Sequence, residues 1–141
     1  MSIGAITLTI DETTERLIDY RGKTPTKTTS GIKLTTAKVM KDGRILDERS
    51  EYIASDFYDQ WMRRGLPQRH DVLITTEAPM GEVAILKNSE RVALAQRVIL
   101  LRADERIVHS RYLFWFVRRI CGRVLALEAC RARDTERVRR S

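Results

Sequence analysis

Four short clusters of polar side chains in this chain have types and spacings suited to hydrogen-bonding chemistry. Thr75, Thr76 and Glu77 stand together between two apolar runs. A carboxylate such as Glu77 accepts a hydrogen bond from cytosine's amino group and is repelled by phosphate, whereas a threonine hydroxyl bonds either. Gln96 and Arg97 are adjacent. Glutamine can bond adenine's edge at two points and arginine can do the same for guanine, so this pair is chemically able to read bases. Lys23, Thr24 and Lys27, with Thr28 and Thr29, offer cations and hydroxyls of the kind that bond phosphate oxygens; the plain alternative is a solvated loop. Lys38, Lys41 and Arg44 form a fourth, basic cluster that can grip a phosphate, although lysines also protect exposed strand edges.

The elements that must position these clusters can be read from periodicity and turn chemistry. Ile6, Leu8 and Ile10 alternate with Thr7 and Thr9, which predicts a half-buried strand, and Asp11 then caps a short helical turn through Leu17 and Ile18. Residues 22–31 are threonine, lysine, proline and glycine, a loop composition. Ile32, Leu34 and Thr36 alternate as a strand, and Asp42-Gly43 predicts a tight hairpin within residues 39–46, bringing Lys38, Lys41 and Arg44 to one hairpin end. Ser55 is the predicted cap of a helix in which Phe57, Tyr58, Trp61 and Met62 recur at helical spacing as a core stripe. Gly65 and Pro67 stop that helix. Val72-Leu73-Ile74 then predicts a strand, Ala78-Pro79-Met80-Gly81 a turn, and Val83-Ala84-Ile85-Leu86 a second strand, so the loop between them presents Thr75, Thr76 and Glu77. Strands at 92–94 and 98–101 flank Gln96 and Arg97. A second helix follows, capped by Ser110, with Leu113, Phe116, Val117, Ile120, Val124 and Leu127 as its buried face.

Several of these pieces together resemble a known family. Gly65-Leu66-Pro67 followed by Asp71, an apolar strand and Thr75-Thr76-Glu77-Ala78-Pro79-Met80-Gly81 resembles the target recognition domain of a type I restriction-modification specificity subunit. Tyr20-Arg21-Gly22-Lys23-Thr24-Pro25, Thr36-Ala37-Lys38 with Asp42-Gly43-Arg44-Ile45, Glu51-Tyr52-Ile53, and Ala93-Leu94-Ala95-Gln96-Arg97 before Leu100-Leu101-Arg102 are similar to the same family in the same order. They span roughly residues 17–117. The resemblance implies a mixed α+β fold, a curved and mostly antiparallel sheet with helices packed on it. It also implies a noncatalytic, sequence-specific partner of double-stranded DNA that directs separate modification (methyltransferase) and restriction subunits. The DNA-contacting set expected from the four clusters is Lys23, Thr24, Lys27, Lys38, Lys41, Arg44, Thr75, Thr76, Glu77, Gln96 and Arg97. The other reading is a relic of such a subunit that acts as a protein-interaction module without selective DNA binding.

The net charge of +7 over 141 residues does not by itself point to DNA, because of where it sits. From Arg111 onward there are nine arginines against three carboxylates, so the body of the chain is nearly neutral. In the resembled family a glycine- and threonine-rich segment and a long conserved helix that docks the modification subunits come next. Residues 130–140 are instead arginine-dense without an apolar stripe, the ending expected of a reading frame left soon after the recognition domain, or of a charged functional tail. The expected organisation is a recognition domain over 1–128 and a basic tail, disordered or out of frame, over 129–141, with docking of the modification subunits lost. Cys121 and Cys130 lie beside arginines with no histidine at ligand spacing, so free thiols and no metal are expected. Asp71 and Glu77 fall at the start and past the end of one strand with no lysine to complete a nuclease site, so a turn-capping aspartate and a loop glutamate are the expected roles. No asparagine-proline-proline-aromatic motif, glycine-rich cofactor loop or GxxxxGK motif is present, so neither a cofactor nor intrinsic catalysis is expected. Met1-Ser2-Ile3-Gly4 lacks the basic start and apolar centre of a secretory signal, and a cytoplasmic location is expected.

Overall fold

A computed structural model describes residues 6–19, 24–77 and 79–123. The N-terminal region departs from the expected strand. Residues 6–9 form no strand, with Thr9 in an extended conformation; Ile6 is 86 % exposed, and the chain turns into a one-turn helix, α1 (Ile10–Thr13). The reason is local: Thr9 accepts from the Glu12 amide at 3.2 Å while the Glu12 carboxylate accepts from the Thr9 amide at 2.7 Å, a reciprocal capping box. Thr9 is therefore the cap rather than Asp11. Leu17 and Ile18 lie in the strand that follows, β1 (Thr14–Asp19).

The remaining elements are β2 (Ile32–Thr35), a 3-10 turn (Ala37–Val39), the short hairpin β3 (Met40–Lys41) and β4 (Arg44–Ile45), and β5 (Glu51–Ile53). A second 3-10 turn (Asp47–Arg49) precedes β5, and a third (Ser55–Phe57) runs into α2 (Tyr58–Trp61). Strands β6 (Val72–Thr75), β7 (Val83–Ile85), β8 (Val92–Leu94) and β9 (Val98–Ala103) follow, and α3 is described over residues 110–123. The fold is thus mixed α+β, as expected, but among the described residues the strands divide among three sheets instead of one. A four-stranded antiparallel sheet runs β1-β9-β6-β7, a three-stranded sheet runs β5-β2-β8 with β2 and β8 parallel, and β3-β4 stand as a pair. Asp42 and Gly43 both have positive φ, 50° and 80°, which the predicted two-residue hairpin turn requires.

The central sheet is apolar on both faces, so one layer packs on each. Alternation along β9 sends Val98 and Leu100 to a core shared with Ile18, Leu73, Leu34, Leu94 and α2, while Leu101 and Ala103 face Val72, Val83 and α3. Fully buried leucines such as Leu73 and Leu100 each contribute about 1.5–3 kcal/mol. The aromatic stripe of α2 is core, as its spacing predicts: the Tyr58 hydroxyl donates to the Val92 carbonyl at 3.3 Å and the Trp61 indole to the Leu94 carbonyl at 2.9 Å. Ser55 does not cap this helix; it is the first residue of the 3-10 turn, whose cap position is Ala54, and Phe57 holds the cap position of α2. Gly65, at φ 150°, closes the stretch in the expected place.

In α3 the buried stripe is rotated from the expected one. Ser110, Leu113, Phe114 and Val117 are buried, whereas Phe116 and Ile120 are exposed. Ser110 lies inside the first turn, and His109 precedes it as the cap, its Nδ1 accepting from the Arg111 amide at 3.2 Å. Phe114 is held inward because the β3-β4 turn packs on it: a Cβ on Gly43 would stand 3.2 Å from the Phe114 ring. Val124, Leu127 and the tail over 129–141 lie outside the described residues.

Candidate nucleic-acid interface

Three chain segments converge beyond the end of β2. Leu34 pairs with Glu51 across β5, the Thr28 amide donates to the Tyr52 carbonyl at 2.8 Å and so lays the threonine-lysine loop beside β5, and the Ala95 amide donates to the Thr35 carbonyl at 3.0 Å. Their meeting encloses a cavity of about 200 Å³ lined by Thr24, Lys27, Thr36, Lys38, Glu51 and the Gln96-Arg97 pair. A second cavity adjoins it, shares Thr36, Lys38 and Glu51, and adds Lys41, Arg49 and Glu82. Clusters separated by some seventy positions in the chain thus share one cleft.

The loop after β6 joins the same region through Arg97. The Thr76 amide donates to the Arg97 carbonyl at 3.0 Å, and Glu77 Oε1 lies 3.3 Å from Arg97 Nε. Two expected residues do not reach the cleft. Thr75 ends strand β6 instead of entering the loop; it is 1 % exposed and its hydroxyl accepts from the Glu82 amide at 2.9 Å, so it supports the loop from behind. Arg44 lines a different cavity with Lys33, Asp47 and Glu90. Lys23 lies outside the described residues.

No protein-family model matches this chain, and no curated protein matches it. The cleft is accordingly read from its own chemistry. Its cations fall into two groups. Lys27 is bound to Glu51 at 2.9 Å and Arg97 to Glu77 at 3.3 Å, whereas Lys38, Lys41 and Arg49 make no ion pair among the described residues. The side chains of both pairs are about one third to two thirds exposed. Exposed pairs of this kind contribute only about 0–1 kcal/mol, so either cation can be taken over by a stronger ligand.

Thr36, Arg49 and Glu51 are cleft residues that the four polar clusters do not include. Thr36 reads as one position of an alternating strand and Glu51 as a charged residue before an apolar one; both stand in pieces of the family likeness, Thr36-Ala37-Lys38 and Glu51-Tyr52-Ile53, but neither is singled out there as a contact. Their place follows from β2-β5 pairing, which is nonlocal. Four buried side-chain atoms among the described residues lack a hydrogen-bond partner, and three belong to this cavity: Thr36 Oγ1, Glu51 Oε2 and Arg97 Nε. The last is near its ion-pair partner Glu77 but makes no hydrogen bond with it.

Among the described residues no group of three or more histidine, cysteine or acidic side chains can hold a metal ion, and no helix is long and apolar enough to cross a membrane. Asp71 does cap the turn before β6, accepting from the Gln68 amide at 2.7 Å, and it also binds Arg102, a role its sequence position does not signal. Cys121 is a free thiol on α3, half-buried, and burial pushes its thiol up from the ordinary range. Because the thiolate is the reactive form, iodoacetamide at neutral pH should alkylate the Cys121 peptide more slowly than glutathione. Mass spectrometry of timed digests measures this, and an equal rate would contradict it.

Proposed function

We propose that this chain is a DNA target recognition domain of the kind found in type I restriction-modification specificity subunits, which direct separate modification and restriction subunits: noncatalytic, cytoplasmic and bound to double-stranded DNA, with docking of the modification subunits lost. The observation that carries this reading is the cleft. Thr24, Lys27, Lys38, Lys41, Gln96 and Arg97, expected from sequence to hold DNA, line two adjoining cavities, with Thr76 and Glu77 tied to Arg97 at the rim. Unpaired cations beside groups able to bond base edges are what a sequence reader needs, because phosphate contacts set register and base contacts select. The ordered likeness over roughly residues 17–117 supports the same reading. The test is selection from a random duplex library followed by titration of the recovered duplex and shuffled controls at two salt concentrations. Recovery of one short sequence, bound more tightly than its shuffled form and with salt-dependent affinity, is the expected result. Equal affinity for both duplexes would sink it.

A second reading, a protein-interaction module, has one observation of its own. Ile6, Leu8, Ile10, Ile107, Tyr112 and Phe116 are exposed around a common apolar groove. Recovery of a protein complex by the full chain, with no selective duplex, would favour it.

A further inference from the structure

The cavity between the threonine-lysine loop and the Gln96-Arg97 turn has a polarity of its own, opposite to that of its rim. Its wall holds a carboxylate oxygen, Glu51 Oε2, and a hydroxyl, Thr36 Oγ1, both buried and both without a hydrogen-bond partner. Thr36 as a residue is 9 % exposed. An unsatisfied buried polar group costs free energy, and native proteins retain few of them. Of the three such atoms at this cavity, the two oxygens call for a ligand that satisfies both, while the third, Arg97 Nε, is a donor 3.3 Å from Glu77 Oε1.

The carboxylate narrows what that ligand is. Glu51 Oε1 already accepts from Lys27 at 2.9 Å, so the free oxygen Oε2 needs a donor. A phosphate offers only acceptors and is repelled; so are the O6 and N7 edge of guanine and the O4 edge of thymine. Adenine and cytosine each present an exocyclic amino group in the major groove, and adenine places an acceptor, N7, beside it. The terminal torsion of a glutamate is broad. The Glu51 side chain is 31 % exposed, and because Oε2 is itself buried, binding through it requires a turn about that torsion.

We infer that this cavity is a subsite for one amino-bearing base of the DNA target, adenine or cytosine, with Glu51 accepting from the amino group and the Thr36 hydroxyl bonding the neighbouring edge position. The inference rests on the DNA-recognition reading above. It assigns selectivity to two residues outside the basic clusters, in addition to the Gln96-Arg97 pair.

The test uses the full chain and a duplex recovered from the random library. Each adenine is replaced in turn by purine and each cytosine by 2-pyrimidinone, which removes only the amino group. One replacement should weaken wild-type binding about tenfold. Glu51→Met, similar in length and unable to accept, should weaken binding of the unmodified duplex by a like factor and should be indifferent to that same replacement. Thr36→Val provides a second line that does not depend on how Glu51→Met folds. Removing an unsatisfied hydroxyl should leave the melting temperature unchanged or raise it, while preference at the same position falls. Effects of Glu51→Met and amino-group removal that simply add at every position would overturn the inference and leave DNA recognition standing. Failure of the wild-type chain to select any duplex would overturn both.

Discussion

Asp71→Ala should lower the free energy of unfolding by about 3–5 kcal/mol, the range for breaking a buried, hydrogen-bonded ion pair from one side. Asp71 is 1 % exposed. Its carboxylate accepts from Arg102 Nε at 2.9 Å and Nη2 at 2.8 Å, and from the Gln68 amide at 2.7 Å. The same Arg102 Nη2 donates to the Leu66 carbonyl at 2.9 Å. The pair therefore fastens the loop that ends α2 to β9, one of the two inner strands of the main sheet. Removing the carboxylate leaves a guanidinium with only 15 % of its side chain exposed and an amide without its acceptor. Arg102 is held above the usual arginine range, chiefly by its hydrogen bond to Asp71. A cation raised in this way stabilises below its unfolded value and loses that effect only as pH rises through the folded one. That window lies at strongly alkaline pH, so substitution rather than pH is the useful probe. Urea unfolding of wild type, Asp71→Ala and Asp71→Ala with Arg102→Met measures it. The double variant should recover part of the loss, because no charge is left buried alone. A loss below about 1 kcal/mol in Asp71→Ala would mean that water replaces the carboxylate, and the fastening role would fail.

The parts of this fold that were legible in the sequence are those with short-range causes. Asp42-Gly43 requires positive φ at two consecutive residues and makes its hairpin; Gly65 and Pro67 stop a helix; the apolar runs at 72–74 and 98–101 are too short and too β-branched for anything but strands. The failures have nonlocal or competing causes. At the N-terminus the alternation of Ile6, Leu8 and Ile10 suggested a strand, but no neighbour pairs with it, and the Thr9-Glu12 capping box turns the chain into α1. In α3 both the 113-117 and 116-120 spacings fit a helical stripe. The choice falls to Phe114, because the β3-β4 turn lies against it. Thr75 has the sequence environment of a loop residue, yet its amide donates to the Glu82 carbonyl at 2.9 Å and ladders it into β6. The cleft follows the same division: its rim was visible as charge clusters, whereas Glu51 and Thr36, present in the pieces of family likeness without an assigned role, became candidate contacts once β2 and β5 were paired.

The rim itself should show two kinds of residue when its side chains are removed singly. Lys38 and Lys41 are exposed and make no ion pair among the described residues, so each is free to meet a phosphate. Alanine at either should weaken preferred and shuffled duplexes alike and reduce the salt slope by about one unit, the release of roughly one counterion. Lys27 should give a smaller effect, since its charge is already shared with Glu51 at 2.9 Å. Gln96→Ala and Arg97→Ala should cost about 1–3 kcal/mol on the preferred duplex, and Gln96→Ala almost nothing on shuffled DNA. Arg97 must leave Glu77 to reach a base, which is a small obstacle because the pair is exposed. Glu77→Gln therefore discriminates between roles. If Glu77 holds Arg97 away from phosphates, its neutral variant should bind shuffled duplex more tightly and lower the ratio of preferred to shuffled affinity. Thr76, whose amide is fixed to the Arg97 carbonyl, should tolerate alanine with a smaller change in that ratio than Arg97 does. Anisotropy titrations at two salt concentrations, on variants first shown to melt cooperatively, provide the readout. A ratio that falls for Lys38→Ala and Lys41→Ala but not for Gln96→Ala, Arg97→Ala or Glu77→Gln would reverse the assignment, placing base readout on the lysine side and phosphate contact at the 95–97 turn.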